Sequence, residues 1–164
     1  MPFHLEGSCR CGAVHFALES HTPQPYQLCY CSICRKTAGG GGFAINLMGD
    51  ARTLKVTGER AIGVFHAQIR DEDGHCEISS GERRFCKACG TALWVFDPAW
   101  PELVHPFASA IDTDLPVPPH KTHLLLRFKA SWVVPDVSAG DQTFDLYPVE
   151  SIEDWHRERG LWID

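Results

Sequence analysis

Apolar and polar residues alternate in two segments of the chain, and this period of two predicts β-strands. The alternation begins at Val14 and continues to Leu18, and it returns at Gly63–Ile69. Further strands are expected in these apolar segments: Phe43–Leu47, Thr53–Thr57, His75–Ser79, Ala92–Phe96, Val104–Ile111, Thr122–Phe128 and Ser131–Val134. The chain is therefore predicted to be mainly β.

Prolines and glycines separate these strands and mark the loops. His21–Pro25 and Asp114–His120 are rich in proline and are expected to be loops, and Asp71–Gly74 has the composition of a hairpin tip with solvated acidic side chains. Four glycines, Gly39–Gly42, form a flexible turn in the simplest interpretation. The alternative is a loop whose bare N–H groups face a ligand carboxylate.

The one clear helix signal lies near the end of the chain. Ser151 can cap the N-terminus of a helix, Asp154 follows three residues later as in a capping box, and Gly160 can end it. Ile152 and Trp155 are three residues apart, so they share one face of this helix. That face is expected to pack on the sheets.

Composition narrows the class of protein. Apolar residues make up 44% of the 164 residues, which is enough for one domain with its own core. The net charge of −6 argues against nucleic acid as a partner, because nucleic-acid-binding proteins usually present a basic face. No apolar run is long enough to span a membrane, and the N-terminus lacks a signal-peptide core. A cytoplasmic location is expected, where cysteines stay reduced.

The cysteines are the main candidates for chemistry, and all eight lie in the first 89 residues. Cys29, Cys31 and Cys34 place three thiols within six residues. Thiols so near one another in sequence can turn toward one soft divalent cation, and zinc is the metal expected there. A site with three protein ligands leaves the fourth position of the metal open, which is typical of catalytic zinc.

Two further pairs, Cys9/Cys11 and Cys86/Cys89, together offer the four ligands of a structural zinc site. The first pair is expected on an extended strand with both thiols on one face, and the second in a tight turn. Such a site would tie distant parts of the chain together and couple metal binding to folding. Cys76 remains, either as a buried structural cysteine or as a fourth ligand of the three-thiol site.

The alternative for the whole set is a disulfide framework. The Cys-x-Cys spacings, which strain an internal bridge, and the lack of a secretory signal argue against it. Iron in the four-thiolate site is an alternative to zinc.

Three cysteine motifs follow one another in a specific order: Cys9-x-Cys11-Gly12-x-Val14, Cys29-x-Cys31-x-x-Cys34-Arg35-Lys36, and Phe85-Cys86-x-x-Cys89-Gly90-Thr91. This order resembles the glutathione-dependent formaldehyde-activating enzyme family, also called the centromere protein V domain. The resemblance implies an Mss4-like fold of zinc-bearing antiparallel sheets. With the helix signal, it predicts a single zinc domain over residues 1–164, with a core at about 7–132 and a C-terminal helix at about 151–160.

The resemblance also implies two zinc ions per chain. The structural zinc would be held by Cys9, Cys11, Cys86 and Cys89, and the catalytic zinc by Cys29, Cys31 and Cys34. The implied reaction is the reversible addition of glutathione to formaldehyde, which gives S-hydroxymethylglutathione, so the enzyme would be a carbon–sulfur lyase.

Glutathione carries two carboxylates, so its binding site should offer basic side chains. Arg35 and Lys36 directly follow the three-thiol motif and are the candidates for substrate binding. Arg83, Arg84 and Lys87 lie beside the other motif. The alternative is that these basic residues are surface charges that balance the thiolates.

Two other functions compete with the enzyme. One is a non-catalytic zinc module that binds a partner protein, and the other is a redox or metal-handling protein that uses the three-thiol site. The open coordination position favours the enzyme, whose oligomeric state the sequence does not indicate.

Overall fold

The strands and helices of this protein are described in a computed structural model that covers all 164 residues. The first seven strands are β1 (Phe3–Ser8), β2 (His15–Ser20), β3 (Gln27–Cys29), β4 (Ala44–Ile45), β5 (Gly49–Asp50), β6 (Lys55–Thr57) and β7 (Ile62–Phe65). The others are β8 (Gln68–Arg70), β9 (Cys76–Ile78), β10 (Glu82–Cys86), β11 (Ala92–Phe96), β12 (Leu103–Pro106), β13 (Thr122–Leu124) and β14 (Gln142–Thr143). The helices are α1 (Ser32–Ala38) and α2 (Ile152–Glu158). The prediction of a mainly β fold with antiparallel sheets is confirmed.

Two antiparallel sheets form the main core. One has the strand order β1-β2-β6, and the other has the order β5-β12-β11-β10-β7. Phe16 and Leu18 of β2 are buried while His15 is exposed, so alternate residues of this strand face the interior. The Phe16 ring meets Trp94 of β11 with 5.0 Å between centroids. This contact joins the two sheets at the level of the cysteine turns.

A third sheet carries the central cysteines, in the order β14-β13-β3-β4. β13 pairs in parallel with both β3 and β14, whereas β4 is antiparallel to β3. In this register Leu124 lies opposite Cys29, the last residue of β3. The three-thiol motif therefore begins where a buried strand ends and α1 starts.

Several predicted strands are shorter in the structure. The strand predicted at Val104–Ile111 ends at Pro106, and the one predicted at Thr122–Phe128 ends at Leu124. The second ends because Leu125 has the left-handed φ of 56°, which no strand accommodates. The prediction of a strand at Ser131–Val134 is wrong, since this segment pairs with no other strand although Val133 is buried.

The C-terminal segment folds back onto the sheets. Ser151 caps α2 by accepting a hydrogen bond from the backbone N–H of Asp154 at 3.0 Å, as the sequence predicts. Trp155 is buried and stacks on Tyr26 with 3.7 Å between ring centroids. Neither helix has the length and apolar character that a membrane span requires.

Candidate metal centres

The turn after β1 and the turn between β10 and β11 bring four thiols together. The Sγ atoms of Cys9, Cys11, Cys86 and Cys89 lie within 4.8 Å of one another, and we call them the four-thiol cluster. Cys11 is 3.6 Å from Cys9 and 3.8 Å from Cys86, measured between sulfurs. Four thiolates around one zinc at about 2.3 Å would be separated by about 3.8 Å, so this donor set fits a tetrahedral zinc.

The backbone of both turns is built in the same way. The N–H of Gly12 donates to the carbonyl of Cys9, and the N–H of Gly90 donates to that of Cys86. Both glycines have positive φ, 81° and 77°, which few other residues adopt at low cost. The expectation that the first cysteine pair lies on an extended strand is wrong, because this pair follows β1 in a turn.

Hydrogen bonds favour the thiolate form at two cysteines of the four-thiol cluster, Cys9 and Cys89. Cys9 Sγ accepts from the backbone N–H of Val14 at 3.2 Å. The hydroxyl of Thr91, 3.1 Å from Cys89 Sγ, lowers the pKa of that thiol to about 5. Because a metal ligand must be the thiolate, a lowered thiol pKa favours metal binding.

The three thiols of the second motif also converge. The Sγ atoms of Cys29, Cys31 and Cys34 lie within 4.8 Å of one another, with no fourth Cys, His, Asp or Glu in the group, and we call them the three-thiol cluster. Cys29 ends β3, Cys31 precedes α1 and Cys34 lies inside it. Three sulfurs without a fourth protein ligand match a metal with one open position.

Cys31, the middle cysteine of the three-thiol cluster, is the one whose pKa is lowered. Hydrogen bonds from Cys29 and Cys34 hold the pKa of the Cys31 thiol far below its usual range. The N–H of Cys34 also donates to Cys31 Sγ at 3.3 Å, as the cap of α1. The lowered pKa favours the thiolate form of Cys31, and a divalent cation would favour ionisation of the other two cysteines.

Two side chains from other parts of the chain reach the three-thiol cluster. Arg83 of β10 points its Nη2 at Cys34 Sγ, 3.6 Å away, and its Nη1 at the hydroxyl of Thr37 at 3.3 Å. Asn46 Oδ1 lies 4.0 Å from Cys34 Sγ. The sequence places Arg83 among several basic candidates, and it gives no signal for Asn46.

The two basic residues predicted to bind substrate lie on α1, next to the thiols in sequence. Lys36 is exposed. Arg35 is half-buried, and its Nε is buried without a hydrogen-bond partner. Arg84, in contrast, is paired with Glu82. Of the basic candidates, Arg83 is the one that contacts a cysteine sulfur.

A buried polar network lies behind the three-thiol cluster. The hydroxyl of Tyr30 is 2.8 Å from His123 Nδ1, and His123 Nε2 is 3.2 Å from Asp141 Oδ2. Tyr30 and His123 are buried, and the Asp141 side chain is 2% exposed. Sequence reasoning missed this network, because Tyr30 and His123 are 93 residues apart.

The hairpin of β8 and β9 carries the remaining candidate groups. Asp71, Asp73 and His75 converge at its tip, but all three are exposed, as expected for a solvated turn. Cys76 is exposed on β9 and belongs to neither cysteine cluster. The expectations that Cys76 is buried or completes the three-thiol site are therefore wrong.

Comparisons with known proteins identify the family of this chain. Residues 4–125 match the family model described as glutathione-dependent formaldehyde-activating enzyme. A protein of Halomonas elongata, provisionally named as such an enzyme, is 58% identical over 157 residues, which are 96% of this chain and 97% of that protein. The crystal structure of a Rhodobacter sphaeroides protein is similar in fold, with a TM-score of 0.50 and 22% identity over 68% of this chain and 91% of that one. This chain belongs to the glutathione-dependent formaldehyde-activating enzyme family.

Proposed function

We propose that the protein is a zinc-dependent carbon–sulfur lyase that reversibly adds glutathione to formaldehyde and forms S-hydroxymethylglutathione. The observation that carries this proposal is the three-thiol cluster, in which three sulfurs converge without a fourth protein ligand. The family match supports glutathione as the thiol. The reduced cysteines and the acidic net charge of −6 fit a cytoplasmic enzyme with a small-molecule partner rather than a nucleic acid.

In this proposal each chain holds two zinc ions. The four-thiol cluster would hold a structural zinc, and Cys29, Cys31 and Cys34 would hold the second one. The second zinc would supply a lowered pKa for the incoming thiol at its open position, so that the nucleophilic thiolate is available near neutral pH.

The protein residues around the three-thiol cluster supply a dry and positively charged setting. Phe107, Leu124 and Leu125 pack with Cys29 and Cys34 in one apolar cluster, which keeps water away from these two cysteines. The Arg83 guanidinium adjoins Cys34 and opposes the negative charge that the thiolates accumulate. Excluded water and a fixed positive charge both favour addition of a thiolate to a carbonyl held beside it.

We also propose that residues 1–164 act as one domain, with a core at about 7–132. The contact of Trp155 in α2 with Tyr26 supports this, because it anchors the C-terminal helix on the sheet that carries the thiols. Removal of the C-terminal segment would expose the part of the core that Trp155 covers at Tyr26.

The decisive experiment compares the wild type with Cys31→Ser and Cys76→Ser, the second being a matched control with an exposed thiol outside both clusters. Zinc content is measured by mass spectrometry, and adduct formation by exchange NMR above the uncatalysed rate. We expect two zinc ions and catalysis in the wild type and the control, and one zinc without catalysis in Cys31→Ser. Wild-type protein that carries both metals but does not accelerate the reaction would refute the lyase.

The second candidate function is a non-catalytic zinc module that binds a partner protein. Large apolar side chains near the C-terminus favour it, since Trp132, Val134 and Val149 are 67%, 88% and 96% exposed. A fully metallated but inactive wild type would support this function.

A further inference from the structure

A cavity of about 250 Å³ adjoins the three-thiol cluster, and the function proposed above leaves most of it unused. We call it the aromatic cavity. Its principal lining residues are Thr37, Phe65, Arg83, Phe85, Ala92 and Phe107. Arg83 contacts Cys34 Sγ at 3.6 Å, and Phe107 packs in the same apolar cluster as Cys29 and Cys34. Arg83 and Phe107 therefore belong both to the cavity wall and to the surroundings of the three-thiol cluster.

The walls of the aromatic cavity combine apolar rings with one cation, Arg83, that forms no ion pair with a carboxylate. Three phenylalanine side chains supply the apolar area. Arg83 has no carboxylate within 4.0 Å, although the chain has 21 acidic residues against 15 lysines and arginines. Its neighbour Arg84 is already paired with Glu82. Arg83 contacts the Cys34 sulfur and the Thr37 hydroxyl but no carboxylate, so it can also donate to an anionic or polarised oxygen in the cavity.

Neither substrate of the proposed reaction fills this space well. Formaldehyde has one carbon, and a single water molecule already has a volume of about 30 Å³, so a one-carbon aldehyde would leave most of the cavity empty. Apart from its thiol, glutathione consists mainly of amides, carboxylates and an ammonium group. Phenyl rings would remove water from these polar groups without offering hydrogen bonds in return, which is unfavourable. The walls suit an apolar substituent on the carbonyl carbon instead.

We propose that the aromatic cavity binds the carbonyl substrate, that its phenylalanine rings hold an alkyl or aryl substituent, and that Arg83 stabilises the carbonyl oxygen as it becomes negative. The substrate class is then aldehydes larger than formaldehyde. This inference rests on the proposed thiol-addition function. In the step, the thiolate sulfur forms a bond to the carbonyl carbon and the π electrons move to oxygen. The proton lost by the thiol ends on that oxygen, which yields a hemithioacetal.

Phe65 is the residue that tests substituent binding. It is 46% exposed on β7, so its truncation removes cavity wall rather than core, and the adjacent Val64 is 43% exposed and lines no part of the cavity. We expect Phe65→Ala to lower the ratio of kcat/KM for phenylacetaldehyde to that for formaldehyde about tenfold, the loss typical of one aromatic contact. Val64→Ala should leave both values unchanged. An unchanged ratio in Phe65→Ala would overturn the assignment of the cavity.

Arg83 is tested separately, because it could serve only to balance the charge of the thiolates. Removal of one preorganised donor to a developing oxyanion typically lowers kcat by about 10²–10³-fold, and we expect this for Arg83→Gln with partial rescue in Arg83→Lys. The visible spectrum of cobalt-substituted protein should stay the same in both variants. A changed cobalt spectrum or lost metal, in parallel with lost kcat, would show that Arg83 maintains the thiol cluster and would overturn its catalytic role.

Binding of phenylacetate, a non-reacting probe with an aryl group and a carboxylate, separates this inference from the proposed function. We expect calorimetry to detect its binding to the wild type, with about tenfold weaker binding in Phe65→Ala and in Arg83→Gln. Phenylacetate binding without turnover of any aldehyde would support the cavity and refute the lyase. Turnover of formaldehyde alone, without phenylacetate binding, would support the lyase and overturn the cavity.

Discussion

Tyr30 lies between two proposed zinc ligands, and a buried network fixes its side chain. The Asp141 carboxylate accepts a hydrogen bond from the tautomer of His123 that carries its N–H at Nε2, and in this tautomer Nδ1 accepts the hydrogen bond of the Tyr30 hydroxyl. The ring of Tyr30 packs with Leu28 and Val133. The network thus links the strand that leads into the three-thiol cluster to β13 and to the segment before β14.

Tyr30→Phe removes the hydroxyl from this network and leaves the ring in place. Because His123 is fully buried, its Nδ1 would lose its only partner, and we expect the free energy of unfolding to fall by about 1–3 kcal/mol. Urea denaturation measures the change. Tyr147→Phe, at a tyrosine that is 73% exposed, is the matched control and should have no effect. Equal stability of Tyr30→Phe and wild type would show that the network contributes nothing.

Asp141→Asn tests the charge at the other end of the network. Burial opposes ionisation of this carboxyl group, but the backbone N–H groups of Lys121 and Ser138, with His123, lower its pKa to about 2 from 3.8. A lowered folded-state pKa gives stability that is complete above pH 3.8 and disappears as the pH falls to about 2. We expect the wild type to be more stable than the variant at neutral pH, with the difference shrinking across that window.

Thermal denaturation at a series of pH values would reveal this convergence. Asp136→Asn, at a side chain that is 97% exposed, is the control, and its thermal stability should depend on pH in the same way as that of the wild type. A stability difference that is constant from neutral pH to pH 2 would contradict the role of the Asp141 charge.

At the scale of elements, both helices are seven residues long and depend on their caps and their packing. α1 is capped by a cysteine that is also a proposed metal ligand, because Cys31 Sγ accepts from the N–H of Cys34. α2 is capped by the hydroxyl of Ser151. Its residue Trp155 also packs against Arg159, whose guanidinium lies 4.6 Å from the ring centroid.

Ser151→Ala removes the acceptor for the N–H of Asp154, one of the unpaired donors at the start of α2. We expect the protein to lose about 1 kcal/mol of unfolding free energy, the usual value for an N-cap serine. Chemical denaturation measures it, and Ser138→Ala is the control because Ser138 binds Asp141 through its backbone N–H and carbonyl groups, which the substitution keeps. No loss in Ser151→Ala would mean that packing of Trp155 alone holds the helix.

At the scale of the whole molecule, the four-thiol cluster joins the turn after β1 to the turn between β10 and β11. Cys11 and Cys86 are 75 residues apart, so a metal there would close a long loop. Structural zinc contributes about 10–16 kcal/mol in zinc-finger peptides, which is as large as the total stability of a typical domain. The three-thiol cluster spans only six residues and closes no comparable loop.

The substitutions Cys86→Ser and Cys31→Ser should therefore have different effects on folding. We expect Cys86→Ser to unfold, because Cys86 is fully buried and its loss opens the 75-residue loop. Cys31→Ser should stay folded with one zinc fewer, since a serine hydroxyl caps α1 as well as the thiol does. Circular dichroism and metal analysis measure the two outcomes, and equal unfolding of both variants would contradict the division of roles.

The strand pattern and the C-terminal helix were predictable because alternation and capping are local signals. α1 was missed because it has no apolar periodicity, and its cap is a thiol rather than the usual hydroxyl or carboxylate. The predicted strand at Ser131–Val134 is wrong because apolar content indicates burial and not pairing. Val133 is indeed buried, but in contact with Leu28 and Tyr30 rather than in a sheet.

The sequence by itself determined which thiols can act as ligands, since the number and spacing of the cysteines define two sets of thiols that can each converge on a cation. Only the tertiary structure decided which other side chains act there. It placed Arg83 against Cys34 across 49 residues and His123 against Tyr30 across 93, and it exposed Cys76. The reason is physical: ligand spacing is a property of the local chain, whereas contacts between distant residues follow from how the sheets pack.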